Sequence, residues 1–204
     1  MENNLIVIIG KTSTGKSLLE SIFVKNGFNK IISYTTRFIR KDENDGVDYH
    51  YCTNDKFDDL IKNNELCAIT NYNISGVDTR YGISFKDLNN AGNKVMVINP
   101  KGLSNIIDYI KNNSIIIDNL IIIELSSKLE WRIKRYLARD SYIYSDLVYR
   151  LLKDEEDFNN ENDYYKLLKY STKYYFEIEN NGLNNKDNFM IKQYNYIMNK
   201  IKSK

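Results

Sequence analysis

A chain of 204 residues with a formal net charge of +2 has room for one compact domain with a real core, and too little excess charge to suggest a polyanion-binding surface. No apolar run is long enough to span a bilayer, and the amino terminus enters a strand-like run almost at once, so neither a membrane anchor nor a signal peptide is expected. Cys52 and Cys67 fit no metal-ligand spacing and suggest a reduced, cytoplasmic setting, with neither membrane nor nucleic acid as partner.

The first element is an apolar strand, Leu5–Ile9, followed by Gly10-Lys11-Thr12-Ser13-Thr14-Gly15-Lys16-Ser17 and a helix-patterned segment, Leu18–Phe23. Strand, glycine-bounded loop and helix with the spacing Gly-x4-Gly-Lys-Ser form a phosphate loop. Its glycines let successive N–H groups turn inward toward phosphate oxygens, and the helix adds its positive end. Lys16 is placed to reach the β- and γ-phosphates, and the Ser17 hydroxyl to ligate Mg²⁺. Gly10 through Leu18 is therefore the expected ATP-binding stretch.

Gly27 ends the first helix, and Ile31–Tyr34 reads as a second strand. A polar stretch, Thr35–Asp48, precedes a short strand at Tyr49–Thr53, whose sole histidine, His50, reads as an ordinary strand residue. Asp55–Asn63 is helical, with Phe57, Leu60 and Ile61 on one face; Leu66–Thr70 is a strand; Gly76 marks a turn before Arg80-Tyr81-Gly82. Val95–Ile98 and Leu120–Leu125 are continuous apolar strands of the buried parallel type. Helices are expected over Gly102–Lys111, Ser126–Leu137 (capped by a serine), Leu147–Phe158 and Phe189–Ile201, with a last strand at Tyr174–Ile178. Strands alternating with helices predict an α/β fold with a mostly parallel central sheet, binding ligands at the carboxyl ends of its strands.

The second distinctive stretch is Ser33-Tyr34-Thr35-Thr36-Arg37-Phe38-Ile39-Arg40-Lys41-Asp42-Glu43, continuing to Gly46 and Asp48-Tyr49. Two arginines three apart present planar forks that suit a phosphate; Glu43 can hold them, and Tyr49 offers a phenol. Alone, such a run is most often an exposed charged loop.

Together with the phosphate loop, this stretch resembles the monophosphate-binding motif of guanylate kinases, Ser-x-x-Thr-Arg-x-x-Arg-x-x-Glu-x-x-Gly-x-x-Tyr, with every element in register. Tyr81-Gly82 resembles a later step of the same family, and the likeness runs to about Phe158. Arg139-Asp140, Arg150 and Asp154–Phe158 are similar to divergent, phage-type members. The resemblance implies a P-loop kinase whose core is 1–32, 85–130 and 159–204, with an inserted monophosphate-binding subdomain at 33–84 and a helical lid at about 131–158. It implies that Ser33, Arg37, Arg40, Tyr49 and Tyr81 grip the acceptor phosphate with Glu43 in support. It also implies that lid arginines, here Arg135, Arg139 and Arg150 beside Arg132, act on the transferring phosphoryl group with Lys16. ATP and Mg²⁺ would be the cofactors, nucleotides the only partners, and the protein a monomer or homodimer. The reaction would be ATP plus GMP or dGMP giving ADP and the diphosphate, both substrates triggering closure that excludes water.

The chain departs from the family pattern where the base is read. The family's Asp-x-Asp at the end of the central strand becomes Val97-Ile98-Asn99, so Asn99 takes the second acid's place in the monophosphate site. The family's guanine-reading Glu aligns with Ala68 counting forward from Glu65, or with Asn71 or Tyr72 counting back from Tyr81; Ile83, then Ser84, follow Tyr81-Gly82. An Asn amide offers both a donor and an acceptor and fits several bases, so a kinase for another nucleoside or deoxynucleoside monophosphate stays open. Two further readings are a non-catalytic guanylate-kinase-like interaction domain, against which the intact loop argues, and a regulatory GTPase. The latter needs Asn-Lys-x-Asp where this chain has Asn185-Lys186-Asp187-Asn188.

Overall fold

The apolar run at the amino terminus becomes β1 (Asn4–Gly10), every residue of which is buried. In the computed structural model, which describes residues 2–40, 43–74, 77–139, 143–159, 168, 172–182 and 186–203, β1 is the middle strand of a five-stranded sheet. The sheet order is β2 (Asn29–Lys30), β7 (Lys94–Val97), β1, β8 (Asn119–Ser126), β9 (Tyr174–Glu179), with every pairing parallel. Register is fixed by apolar partners: Ile8 lies opposite Val97 on one side and Ile123 on the other, and Ile121 opposite Tyr174. Such strands are apolar without alternation because both faces are covered. Helix α1 (Lys16–Lys25) supplies Leu19, Ile22 and Phe23 to this core, and the carboxyl-terminal helix α7 (Lys186–Lys202) supplies Met190 and Ile197. The Phe23 and Tyr194 rings meet edge-on at 5.0 Å.

The chain divides into two compact units. The first, carrying this sheet, comprises Met1–Lys30, Gly92–Pro100 and Ile117–Lys204; the second comprises Ile31–Ala91 and Lys101–Ile116. The second holds a four-stranded sheet in the order β4 (His50–Tyr51), β3 (Tyr34–Thr35), β6 (Val77–Ser84), β5 (Leu66–Ile74), with β3–β4 parallel and the other pairs antiparallel. Helix α2 (Asn54–Lys62) buries Phe57 and Leu60 with Leu66 of β5, and Thr53 caps it by accepting from the Lys56 N–H. The short α3 (Phe85–Asn89) is capped by Ser84, and α4 (Pro100–Asn112) is tied to β5 by Asn105 Nδ2 donating to the Ile69 carbonyl.

Four expectations change in detail. The single strand at 31–34 is two: Asn29–Lys30 pairs with β7 and Tyr34–Thr35 with β4 and β6, with irregular backbone between. Arg80-Tyr81-Gly82 lies within an eight-residue strand; the chain there alternates buried and exposed positions too weakly to reveal it. Helix α5 begins at Leu129, not Ser126, and Lys128 at its cap makes no side-chain bond. The serine is engaged elsewhere: Ser127 Oγ donates to Asn181 Oδ1 and accepts from Arg135. Helix α6 (Tyr144–Asn159) starts earlier than Leu147. Gly76, Asp140 and Asn185 lie outside the described residues. No helix among those described is long and apolar enough to cross a membrane.

Candidate functional site

Each unit carries one cluster built around charge, and the two are made differently. In the first unit the loop between β1 and α1 is shaped by its main chain. Gly10 has φ +150, and a Cβ there would lie 2.3 Å from the Leu125 carbonyl oxygen of the paired strand. Gly15 has φ +105, and even Ser13 adopts the left-handed region at φ +62. Non-glycine residues hold that conformation only where their surroundings enforce it.

Here the enforcement is visible as a row of side-chain donors on consecutive loop carbonyls. Lys16 Nζ donates to Gly10 O at 2.7 Å and Lys11 O at 3.0 Å. Arg132 Nε of α5 donates to Thr12 O at 2.9 Å. Arg135 Nη1, also of α5, donates to Ser13 O at 3.1 Å, and the buried Asn180 donates Nδ2 to Thr14 O at 2.8 Å. From α6, Asp154 accepts the Thr12 N–H with both oxygens at 2.9 Å and pairs with Arg132, while Glu155 pairs with Lys11 at 2.6 Å. The carbonyls of Thr12, Ser13 and Thr14 are thus satisfied from outside the loop, and those of Gly10 and Lys11 by its own Lys16.

Burial pulls the Lys16 ammonium down to about 8, against Asp154, which raises it; Arg132, Arg150 and Arg139 add to the lowering. Burial also raises the Asp154 carboxyl above its ordinary range, although Thr12, Arg132 and Lys16 oppose it. Lys16, Arg132, Arg139 and Arg150 thus lie close enough to feel one another's charge, with Asp154 among them.

Arg135, Arg139 and Arg150 fall into two kinds. Arg135 is buried and spent on oxygens: besides Ser13 O and Ser127 Oγ, its Nη2 donates to Asn180 O at 2.5 Å and Gly182 O at 3.0 Å. Arg139 is exposed, reaches Ser13 Oγ at 3.4 Å and lies over the Tyr136 ring. Arg150 pairs with Asp146 at 2.8 Å over the same ring. Asn99 also belongs to this unit, two residues beyond β7.

In the second unit the cluster is made of side chains around one carboxylate. Glu43 accepts from Arg37 Nη2 with both oxygens at 2.9 Å, from Arg40 Nη1 at 3.2 Å and from the Arg40 N–H at 3.0 Å. The Tyr51 hydroxyl donates to it at 2.7 Å. The Arg37 guanidinium also lies 5.3 Å over the Tyr49 ring and 5.6 Å over that of Tyr51, and Tyr49 meets Tyr81 at 5.8 Å. Burial works against ionising Glu43, but Tyr51, Arg40 and Arg37 outweigh it and hold the carboxyl below its ordinary value. Burial likewise opposes the charge of Arg37, yet Tyr81, Glu43 and Tyr49 outweigh it and bind its proton more tightly. The Tyr49 phenol is pushed up to about 12, first by burial and then by Tyr81, so it stays a neutral donor.

The structure thus brings Arg37, Arg40, Glu43, Tyr49 and Tyr81 together, with Ser33 in the irregular stretch before β3, where its carbonyl accepts from the His50 N–H. His50 itself stacks on Tyr34 at 4.7 Å as a strand residue. Sequence reasoning did not single out Tyr51, Asp154 or Asn180, and it named Arg132 only beside the other arginines of its region. Asp154 sits in a run of four acids, and nothing in that run distinguishes the one that points inward.

Comparison with known proteins gives the chain a family. The family model described as "Guanylate kinase" matches residues 2–114, more than half of the chain. A guanylate kinase of Mycoplasma mobile is 25% identical over 189 residues, 88% of this chain and 86% of that one. A guanylate kinase of Lactobacillus johnsonii is 36% identical over 81 residues, and the match spans only 38% of either chain. The crystal structure of guanylate kinase from Anaplasma phagocytophilum superposes with a TM-score of 0.59 at 15% identity, over 100% of this chain and 89% of that one, a likeness of fold.

Proposed function

This chain belongs to the guanylate kinase family, and from that premise we propose that it transfers the γ-phosphoryl group of ATP to a nucleoside monophosphate, GMP or dGMP first among them. The observation that supports the reading is that each unit holds one charged cluster. One is the loop braced at every carbonyl from Gly10 to Thr14; the other is the Arg37–Arg40–Glu43 fork. A phosphoryl transfer enzyme needs two such sites, because it does little covalent chemistry and works by placing a donor and an acceptor phosphate in line.

In this reading Gly10–Leu18 holds the donor phosphates through main-chain N–H groups, and the Lys16 ammonium leaves its carbonyls to neutralise the transferring group. A phosphate beside it restores the counter-charge that burial denies it. Arg139, just beyond α5, and Arg150 of α6, in the segment that would form the lid, meet the charge that spreads over the equatorial oxygens, while Arg135 keeps the loop in shape by its four acceptors. Ser17 offers a hydroxyl oxygen to Mg²⁺, a hard cation that usually shares itself between one or two protein oxygens and the nucleotide. Mg²⁺ would supply neutralisation of the phosphate charge. Arg37 and Arg40 hold the acceptor phosphate, Glu43 fixes their forks, Tyr49 and Tyr81 donate phenolic protons, and Ser33 completes the acceptor's contacts. No general base is required, since the acceptor phosphate is already an anion. The unpaired thiols Cys52 and Cys67 fit the reducing cytoplasm.

ADP formation from ATP is the test, measured against a panel of ribo- and deoxyribo-monophosphates. Turnover with GMP or dGMP above the rate without acceptor is the expected result. The absence of acceptor-dependent ADP with every monophosphate would overturn the reading. A strong preference for another base would move the substrate to the rival that Ala68 and Asn99 leave open.

A further inference from the structure

We infer that Asp154 of α6 is a positioning residue for the phosphate loop. With Arg132 it clasps Thr12 from outside the cradle and thereby sets how tightly the donor nucleotide is held. The inference rests on the donor-site reading above.

The clasp has two halves on one residue. Both Asp154 oxygens accept the Thr12 N–H at 2.9 Å, and the Thr12 hydroxyl donates to Oδ1 at 3.2 Å. Arg132, which pairs with Asp154, donates Nε to the Thr12 carbonyl at 2.9 Å. Thr12 is thus held by donor, acceptor and hydroxyl at once, through a pair of charged side chains that are only 8% and 4% exposed. The next residue, Ser13, is the loop's non-glycine residue with a left-handed φ, and its carbonyl is gripped by Arg135. A shift at Thr12 is therefore passed into the part of the loop that curls around phosphate.

A buried ion pair is a poor way to gain stability alone, because desolvating two charges offsets much of their attraction. What this pair adds over an apolar one is direction: the carboxylate takes the Thr12 N–H with both oxygens while it faces a guanidinium. Asp154→Asn has one acceptor oxygen in place of two and turns N–H donors toward groups that already donate. A matched apolar pair, Arg132→Met with Asp154→Leu, removes the buried charges together and leaves Thr12 unheld.

The test uses the full chain and reads the loop in two ways. Hydrogen exchange of peptides covering Gly10–Ser17, without nucleotide, is expected to accelerate on the order of tenfold in D154N, as one lost charge-assisted bond implies. In steady state the KM for ATP rises on the order of tenfold in D154N, while the KM for the monophosphate stays within about twofold. The R132M/D154L variant should melt within a few degrees of the parent, roughly the span of a one-kcal/mol change, and keep the raised KM for ATP. Recovery of the KM for ATP together with melting temperature in that variant would make the pair merely structural and overturn the inference. So would D154N with unchanged loop exchange. An inactive parent protein would sink the functional reading instead, because the exchange difference is read without substrate.

Discussion

The two charged clusters are built from different materials. In the first unit the loop is shaped by its main chain, which side chains hold mostly by its carbonyls; in the second the cluster is side chain, and a carboxylate holds two guanidinium forks. The first depends on backbone conformations that glycine makes possible at Gly10 and Gly15. The second depends on charge and on one acceptor shared among Arg37, Arg40 and Tyr51. A main-chain cradle should fail through geometry, and a side-chain cradle through titration and isosteric exchange.

The largest expected effect is at the one side chain of the first cradle assigned to transfer. Lys16→Ala should lower turnover on the order of 10²-fold or more, measured as kcat for ADP formation, because it removes charge aimed at the transition state. Near-normal turnover would break the assignment. Gly10→Ala comes next: its Cβ would meet the Leu125 carbonyl at 2.3 Å, so the loop or the β1–β8 pairing must move. A loss of about 1–3 kcal/mol is expected in urea unfolding, together with loss of the thermal shift given by Mg-ATP. An alanine variant that still showed that shift would mean the main chain is less decisive than the contrast claims.

In the second cradle, Glu43→Gln should cost about 1–3 kcal/mol at neutral pH by weakening bonds to charged groups. Because the folded protein holds Glu43 below its ordinary 4.5, its contribution is complete above that value and fades as pH falls through the lower folded value. The gap between parent and E43Q in urea unfolding should therefore shrink as pH drops below 4.5; a gap that held constant would remove charge from the explanation. Tyr51→Phe gives the smallest effect, about 1 kcal/mol, for a single phenol bond to Glu43.

The same division explains what the sequence made legible. β1, β7 and β8 are continuous apolar runs, and a parallel sheet covered on both faces leaves that mark. The loop and the Arg37–Glu43 segment could be read because each packs its chemistry into a short span with fixed spacing. The braces of the loop could not. Arg132, Asp154 and Asn180 come from three distant segments that only the fold brings to Thr12 and Thr14, and Asp154 looks like its acidic neighbours. Tyr51 was hidden for a similar reason, as one tyrosine among 17. β6 escaped notice because its inward residues include Thr79 and Gly82, which carry little hydrophobic signal. The serine expected to cap α5 turned out to serve Asn181 and Arg135, a choice that no local pattern encodes.

The central claim is that the two clusters divide the labour, one for the donor and one for the acceptor. Arg37→Met tests this most directly, since it removes the acceptor fork that is held on Glu43 and leaves the loop at Gly10–Ser17 untouched. Steady-state kinetics with both nucleotides varied should show the KM for the monophosphate rising by about 10- to 100-fold, as loss of a charge-assisted phosphate contact implies, with the KM for ATP unchanged. A KM for ATP that rose in step with that of the monophosphate, or rose alone, would contradict the division.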